Sequence, residues 1–265
     1  MLIIGERINS SSQGIRQAIA ESDAESIRNE ALRQAEAGAD YIDVNAGAFT
    51  EGEDEYLAWL VGVVQEATGK PVCIDTASPQ AAAAALKVHR GKAILNSISG
   101  ETERYNGMFP LVKEYGCGVV ALCLDSSGIP ESASGRVSIA VQLIDRLTGE
   151  GIAQDAIFID PLIYPVSVDP TSAVKALDAI KELRERYPKV HIVCGASNIS
   201  FGLPSRKQLN QVFLVLAMRA GMDAVIIDPT DKQLMANLIT ANTLLGKDEY
   251  CSNYITAYRE GKLGG

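Results

Sequence analysis

PVCIDTASPQAAAAALKV, residues 71–88, decides the fold. Val72, Cys73 and Ile74 form a short apolar run that ends on Asp75. Ser78 then stands as an N-cap, Pro79 occupies the first helical position, and residues 81–88 are strong helix formers. A strand that feeds straight into a helix is one β/α unit. Outward from it the unit recurs in both directions: LIIGE (2–6), YIDVN (41–45), AILN (93–96), VVALCLD (119–125), IFID (157–160), IVCGASN (192–198) and AVIID (224–228) each precede a helical pattern. Eight such units specify a parallel (β/α)8 TIM barrel, an α/β fold, as a single domain over residues 1–265.

The punctuation between units agrees. Ser22 lies three residues ahead of Glu25, a capping-box pattern for the first helix. Thr171 and Ser172 follow Pro170, Thr230 and Asp231 follow Pro229, and both pairs read as helix starts. Gly38, Gly116 and Gly221 each follow a helix and precede a strand, as left-handed C-caps do. A doubly wound open sheet is the competing fold. No G-x-G-x-x-G follows any strand, which disfavours it.

Composition narrows the partners. The 265 residues suit one barrel of about 250, and 47% hydrophobic with 22% charged residues is ordinary for a folded domain. A net charge of −9 argues against nucleic acid, which needs clustered Lys and Arg. No apolar run reaches the roughly 18 residues of a membrane span, and MLIIGERIN lacks the pattern of a secretory signal, so the expected location is cytoplasmic. Cys73, Cys117, Cys123, Cys194 and Cys251 form no C-x-x-C pair, so neither a disulfide framework nor a metal site is expected. His89 at a helix end and His191 at a strand start point away from the rim and read as structural.

Every strand ends on a group able to bond or carry charge, and barrel enzymes build their sites at that rim. Capping the next helix is the plain alternative for each. It suits Asp228, whose helix starts soon after, and Asp125, which precedes a turn. Asp75 differs, because Ser78 already supplies the cap. Asp160 precedes Pro161 with no helix before Ser172, so it caps nothing nearby. Asn96 opens a small polar loop, and Asn198 lies in the glycine-bounded run 195–202. Two carboxylates and two amides, without His, Cys or Lys, make a poor nucleophilic site. They suit a neutral heterocycle with adjacent donors and acceptors, since a carboxylate accepts paired N–H bonds and Asn offers both roles.

At these residues the chain resembles the pterin-binding barrel family, and within it the methyltetrahydrofolate:corrinoid methyltransferases. These include the acetyl-CoA-pathway enzyme and the folate domain of cobalamin-dependent methionine synthase. The matching stretches are GERIN (5–9), DVNAG (43–47), CIDT (73–76), LNSISGE (95–101), FIDPL (158–162) and GASNISFGLPSR (195–206), in family order across the whole chain. The resemblance implies that Asp75, Asn96 and Asp160 hold the pterin ring edge and that Asn198, the catalytic residue, bonds N5. It places Asp43, Gly195 and Ser197 on the same pocket, Glu6 and Asn45 at its floor or as supports, and Arg206 nearby. Phe201 departs from the pattern, standing where the acetyl-CoA-pathway enzyme has an amide.

The implied substrate is tetrahydrofolate or methyltetrahydrofolate, and the implied nucleophile is a cobalt(I) corrinoid, so the protein need supply none. The Asp-x-His-x-x-Gly motif of a corrinoid module is missing around His89 and His191. The corrinoid is therefore expected on a partner, a corrinoid protein, with no metal bound by this chain, and the assembly is expected to be a homodimer. Dihydropteroate synthase is the rival on this scaffold: Ser205, Arg206 and Lys207 match its signature, but its glycine-rich diphosphate loops are missing. A folate-binding barrel without turnover is the other alternative.

Overall fold

Alternation along each short apolar run sets which side chains fill the barrel. The computed structural model describes residues 1–263. The chain runs β1 (Leu2–Asn9), α1 (Gln13–Ala20), α2 (Ala24–Glu36), β2 (Tyr41–Asn45), α3 (Glu53–Thr68), β3 (Val72–Asp75), α4 (Pro79–Val88), β4 (Ile94–Ser99) and α5 (Thr102–Tyr115). It continues with β5 (Gly118–Leu122), α6 (Ala133–Gly149), β6 (Ile157–Asp160), α7 (Ser172–Arg186), β7 (His191–Ile192), α8 (Arg206–Ala220), β8 (Ala224–Ile227), α9 (Lys232–Leu244) and α10 (Ser252–Arg259). The strands pair in the order β7-β6-β5-β4-β3-β2-β1-β8, all parallel. The amides of Asp223 and Ile226 donate to the carbonyls of Ile192 and Cys194 at 3.3 and 3.0 Å, which bridges the seam. The expected β/α barrel is what forms.

Ile4, Tyr41, Cys73, Ile94, Val120, Phe158, Val193 and Ala224 meet in the barrel interior. A second, larger apolar cluster fills the space between sheet and helices. Side chains two residues apart share a strand face. The next inward positions toward the strand ends are therefore Glu6, Asp43, Asp75, Asn96, Leu122, Asp160, Gly195 and Ile226. One step along the strands, an oily plug gives way to a mostly polar ring.

Several local expectations are corrected. The helix after Ser22 is the second, since α1 precedes it, and Asp23, not Ser22, caps it: the carboxylate accepts from the amides of Glu25 and Ser26, both at 3.1 Å, while Ser22 turns the chain at φ 53°. A carboxylate one residue closer takes two orphan donors at once, which no capping box improves on. Thr171 spends its hydroxyl on Asp169 at 2.7 Å rather than on α7. Ser78 and Asp231 do cap, accepting from Ala81 and Leu234 at 3.2 and 3.1 Å. Gly38, Gly116 and Gly221 take positive φ as expected. The fifth strand stops at Leu122 because Asp125 pairs with Gly128 in a turn.

Gly5 faces outward between two inward residues of β1. A side chain there would collide with the amide oxygen of Gln34, which is fully buried and accepts from the Arg7 amide at 3.1 Å. Gly5→Ala should therefore destabilise the fold by about 1–3 kcal/mol, the ordinary cost of overpacking. An unshifted urea midpoint would show that α2 yields freely.

Candidate active site at the barrel mouth

The polar ring opens into a cavity of about 470 Å³ at the carboxyl ends of the strands. Small-molecule sites span roughly 300–1,000 Å³, so the size is apt. Glu6 and Arg7 of β1, Asp43 of β2, Asp75 of β3 and Asn96 of β4 form one arc of its wall. Gly195, Ser197 and Asn198, which follow β7, form the other with Ile226 and Asp228. Asn9, Ser11, Ser12 and Ile15 complete it where β1 passes into α1. Glu6, Asp43, Asp75, Asn96, Gly195, Ser197 and Asn198, all expected at one site, do come together.

Asn45, Asp160 and Arg206 do not line this cavity. The Asn45 amide donates to Asp75 Oδ2 at 3.0 Å and to its carbonyl at 3.2 Å, while Asn45 Oδ1 accepts from Ser10 Oγ and the Gly47 amide. Its bonding is spent on orienting Asp75. Arg206 donates to the Ser197 carbonyl at 2.8 Å and to Ser200 Oγ at 3.1 Å, bracing the turn that carries Asn198. That turn is a 3-10 turn, Ala196–Ser200, because β7 ends after two residues; Asn198 is not on a strand. Phe201 is 64% exposed and lies outside the cavity, with the Arg206 guanidinium 5.8 Å from its ring centroid.

Asp160 continues the inward face of Phe158, yet it is not free of local bonds. Its Oδ1 accepts from the Leu162 amide at 2.8 Å, because Leu162 adopts φ 59° and turns that N–H back. Buried Arg136 holds the same loop, donating to the carbonyls of Leu162 and Pro130 at 2.8 and 3.2 Å. As expected it caps no helix, but one of its oxygens is spent on this turn.

Burial dominates the electrostatics, since it penalises the charged form of each carboxyl. It lifts Glu6 to about 7, with Asp228 adding to the rise and Arg206 and Arg7 opposing it. Burial likewise lifts Asp160 to about 7, against the Leu162 amide and Arg136. Asp43 is pushed well above the carboxylate range by burial and by Asp75, despite hydrogen bonds with Cys73 and Asn96. Burial raises Asp75 too, while the Asn45 bond and Arg104 hold it down. Asp228 is the exception: bonds from Thr230 and Arg7 outweigh its burial and keep it below its ordinary value. A mouth holding both neutral and charged carboxyls can accept hydrogen bonds and can also give or take a proton near neutral pH.

Sequence reasoning missed Arg7, Asn9, Ser11, Ser12, Ile15 and Ile226: β1 runs on to Asn9, and α1, whose N-cap is Ser12 without a side-chain capping bond, was not anticipated. Asp228 does not cap the next helix as expected, since Asp231 is the N-cap of α9; it instead accepts from the Thr230 amide at 2.9 Å and from Arg7 at 2.8 Å while facing the cavity. Arg7 also pairs with Glu30 of α2, so one guanidinium ties β1, β8 and α2 together.

Comparison with known proteins places this geometry. A family model for pterin binding enzymes matches residues 5–228. Across its full length the chain is 38% identical to a methylcorrinoid:tetrahydrofolate methyltransferase of Eubacterium limosum, of which it covers 98%. It is 31% identical over 240 residues to a methionine synthase of Mycobacterium tuberculosis, covering 86% of this chain but 20% of that protein. Dihydropteroate synthase from Xanthomonas albilineans, solved with 7,8-dihydropteroate, superposes with a TM-score of 0.69 over 94% of this chain and 93% of that one. At 20% identity that likeness carries the fold alone.

Proposed function

This chain belongs to the pterin-binding enzyme family, and we propose that it is a methyltransferase acting between N5 of (methyl)tetrahydrofolate and the cobalt of a corrinoid borne by a separate protein. The full-length 38% identity to a methylcorrinoid:tetrahydrofolate methyltransferase carries this reading. The mouth supports it: Asp43, Asp75, Asn96 and Asn198 share one cavity without a nucleophilic side chain among them. Both histidines are occupied at strand starts, His89 accepting from the Val72 amide at 3.1 Å and His191 paired with Asp223 at 3.0 Å. The corrinoid is thus a substrate presented by its own carrier protein.

In this reading the Asp75 carboxylate, oriented by Asn45, accepts N–H bonds from the pterin edge. Such charge-assisted bonds contribute about 1.5–3 kcal/mol each. Asn96 and Asp43 read the neighbouring ring atoms, Gly195 and Ser197 line the ring, and Asn198 bonds N5. Glu6, at the floor, faces the same space. The dihydropteroate-type condensation is less well supported. Arg206 is committed to Ser197 and Ser200, and Lys207 pairs with Asp231 at 3.3 Å, so neither faces the cavity to hold a diphosphate.

Asp160 yields a prediction of its own. It stands outside the cavity wall, but in this reading it contacts the ring: its carboxyl titrates at about 7 beside Arg136, and a carboxyl accepts N–H bonds best when charged. A ligand that prefers the deprotonated form binds more tightly above the free pKa. Tetrahydrofolate affinity should then weaken as pH falls below 7, and Asp160→Asn should flatten that limb in calorimetric titrations. An unchanged limb would place Asp160 outside the ring contacts.

The test of the function is an anaerobic assay of methylcobalamin with tetrahydrofolate, followed by the cobalamin spectrum. Demethylation of cobalt that requires both folate and protein supports it. Folate binding with no spectral change, for free cobalamin and for a corrinoid protein alike, would leave a binding module.

A further inference from the structure

Methyl transfer to tetrahydrofolate must dispose of a proton. The N5 lone pair forms the new N–CH3 bond, the Co–C electron pair stays with cobalt as Co(I), and the N5–H proton has to leave. The reverse reaction must return it. Four cavity-lining residues carry carboxyls: Glu6, Asp43, Asp75 and Asp228. Two are committed, Asp228 by Thr230 and Arg7 and Asp75 by Asn45; Asp43 keeps one oxygen without a partner but is only 2% exposed, sunk beneath the open mouth. Glu6 makes no side-chain hydrogen bond to the described residues.

Its position fits the task. Glu6 follows Gly5, which pairs with Ile227 of β8, and Ile226 in turn bridges to Gly195. Only one strand separates Glu6 from the segment that presents Asn198. The charged groups around it come from β1 (Arg7), β8 (Asp228), α8 (Arg206) and, across the mouth, β2 (Asp43). Burial and Asp228 outweigh Arg206 and Arg7 and leave the carboxyl titrating at about 7, where an acid–base group works best.

Building on the proposed methyl transfer, we propose that Glu6 takes the N5 proton when tetrahydrofolate is the acceptor and gives it back in the reverse direction. The test is single-turnover transfer from methylcobalamin at saturating tetrahydrofolate, between about pH 5.5 and 8.5, with the reverse reaction run alongside. In the native protein the forward rate should rise with pH through a midpoint near 7, and the reverse rate should fall through it. Glu6→Gln should lose both limbs and slow transfer about a hundredfold, with calorimetric tetrahydrofolate affinity within about threefold. Glu6→Asp should be slower than the native protein yet keep the limbs, which a purely structural role would not produce.

Native rate and native limbs in Glu6→Gln would overturn the assignment and send the proton directly to water. If Glu6→Gln fails to bind folate, Glu6→Asp decides: a limb retained at reduced rate supports the role, and a flat profile overturns it. A native protein that moves no methyl group in either direction would overturn the proposed function itself, and this inference with it.

Discussion

Asn198→Ala should slow methyl transfer by about a hundredfold or more at saturating folate and corrinoid, the scale of losing one preorganised hydrogen-bond donor. The loss of tetrahydrofolate affinity should be much smaller. Charge on N5 changes as the C–N bond forms or breaks, so a bond to N5 strengthens in the transition state and appears in the rate of the chemical step. Preorganisation comes from the surroundings of the 3-10 turn: the Asn198 backbone N–H donates to the Gly195 carbonyl at 3.2 Å, and Arg206 holds the Ser197 carbonyl. Single-turnover transfer beside calorimetric binding reads the split. A variant that loses affinity yet transfers normally once saturated would reduce Asn198 to an anchor.

Asp75→Ala should show the opposite balance, weakening folate binding by one to two orders of magnitude, as follows from losing about 1.5–3 kcal/mol of charge-assisted bonding. The charge on the ring edge that Asp75 is proposed to hold changes little during transfer, so the rate at saturation should fall far less. Asn45→Ala should move affinity the same way by a smaller step, because it loosens the carboxylate without removing it. Unchanged affinity in Asp75→Ala would mean that the carboxylate serves only the barrel wall.

The sequence carried the barrel because each unit states its period twice: a short apolar run, then a capped helical stretch. It carried most of the mouth for a related reason. Where a strand leaves the apolar interior, the next same-face residue must meet water or ligand, so Asp43, Asp75 and Asn96 announce themselves. What was illegible depends on contacts far apart in sequence. Nothing near Asn45 reveals that its amide is spent on Asp75, thirty residues away. Arg7 becomes part of the wall through Glu30 and Asp228, neither adjacent to it in sequence. Residues 192–198 look like a strand by composition, but Gly195 and the turn after it draw the chain off the ladder, and this aims Asn198 into the cavity. The preference of Asp23 over Ser22 is a contest between two good caps one residue apart, which local pattern alone does not decide.

Movement of a methyl group between cobalt and N5 at this mouth is tested most directly by an anaerobic single turnover in which methylcobalamin carrying an isotope-labelled methyl group is mixed with tetrahydrofolate and the protein, and the label is located by NMR. The expected result is label on N5 of tetrahydrofolate, appearing in step with Co(I) and only when the protein is present. Label that stays on cobalt while calorimetry shows tetrahydrofolate bound, with free methylcobalamin and with a methylated corrinoid protein alike, would contradict it.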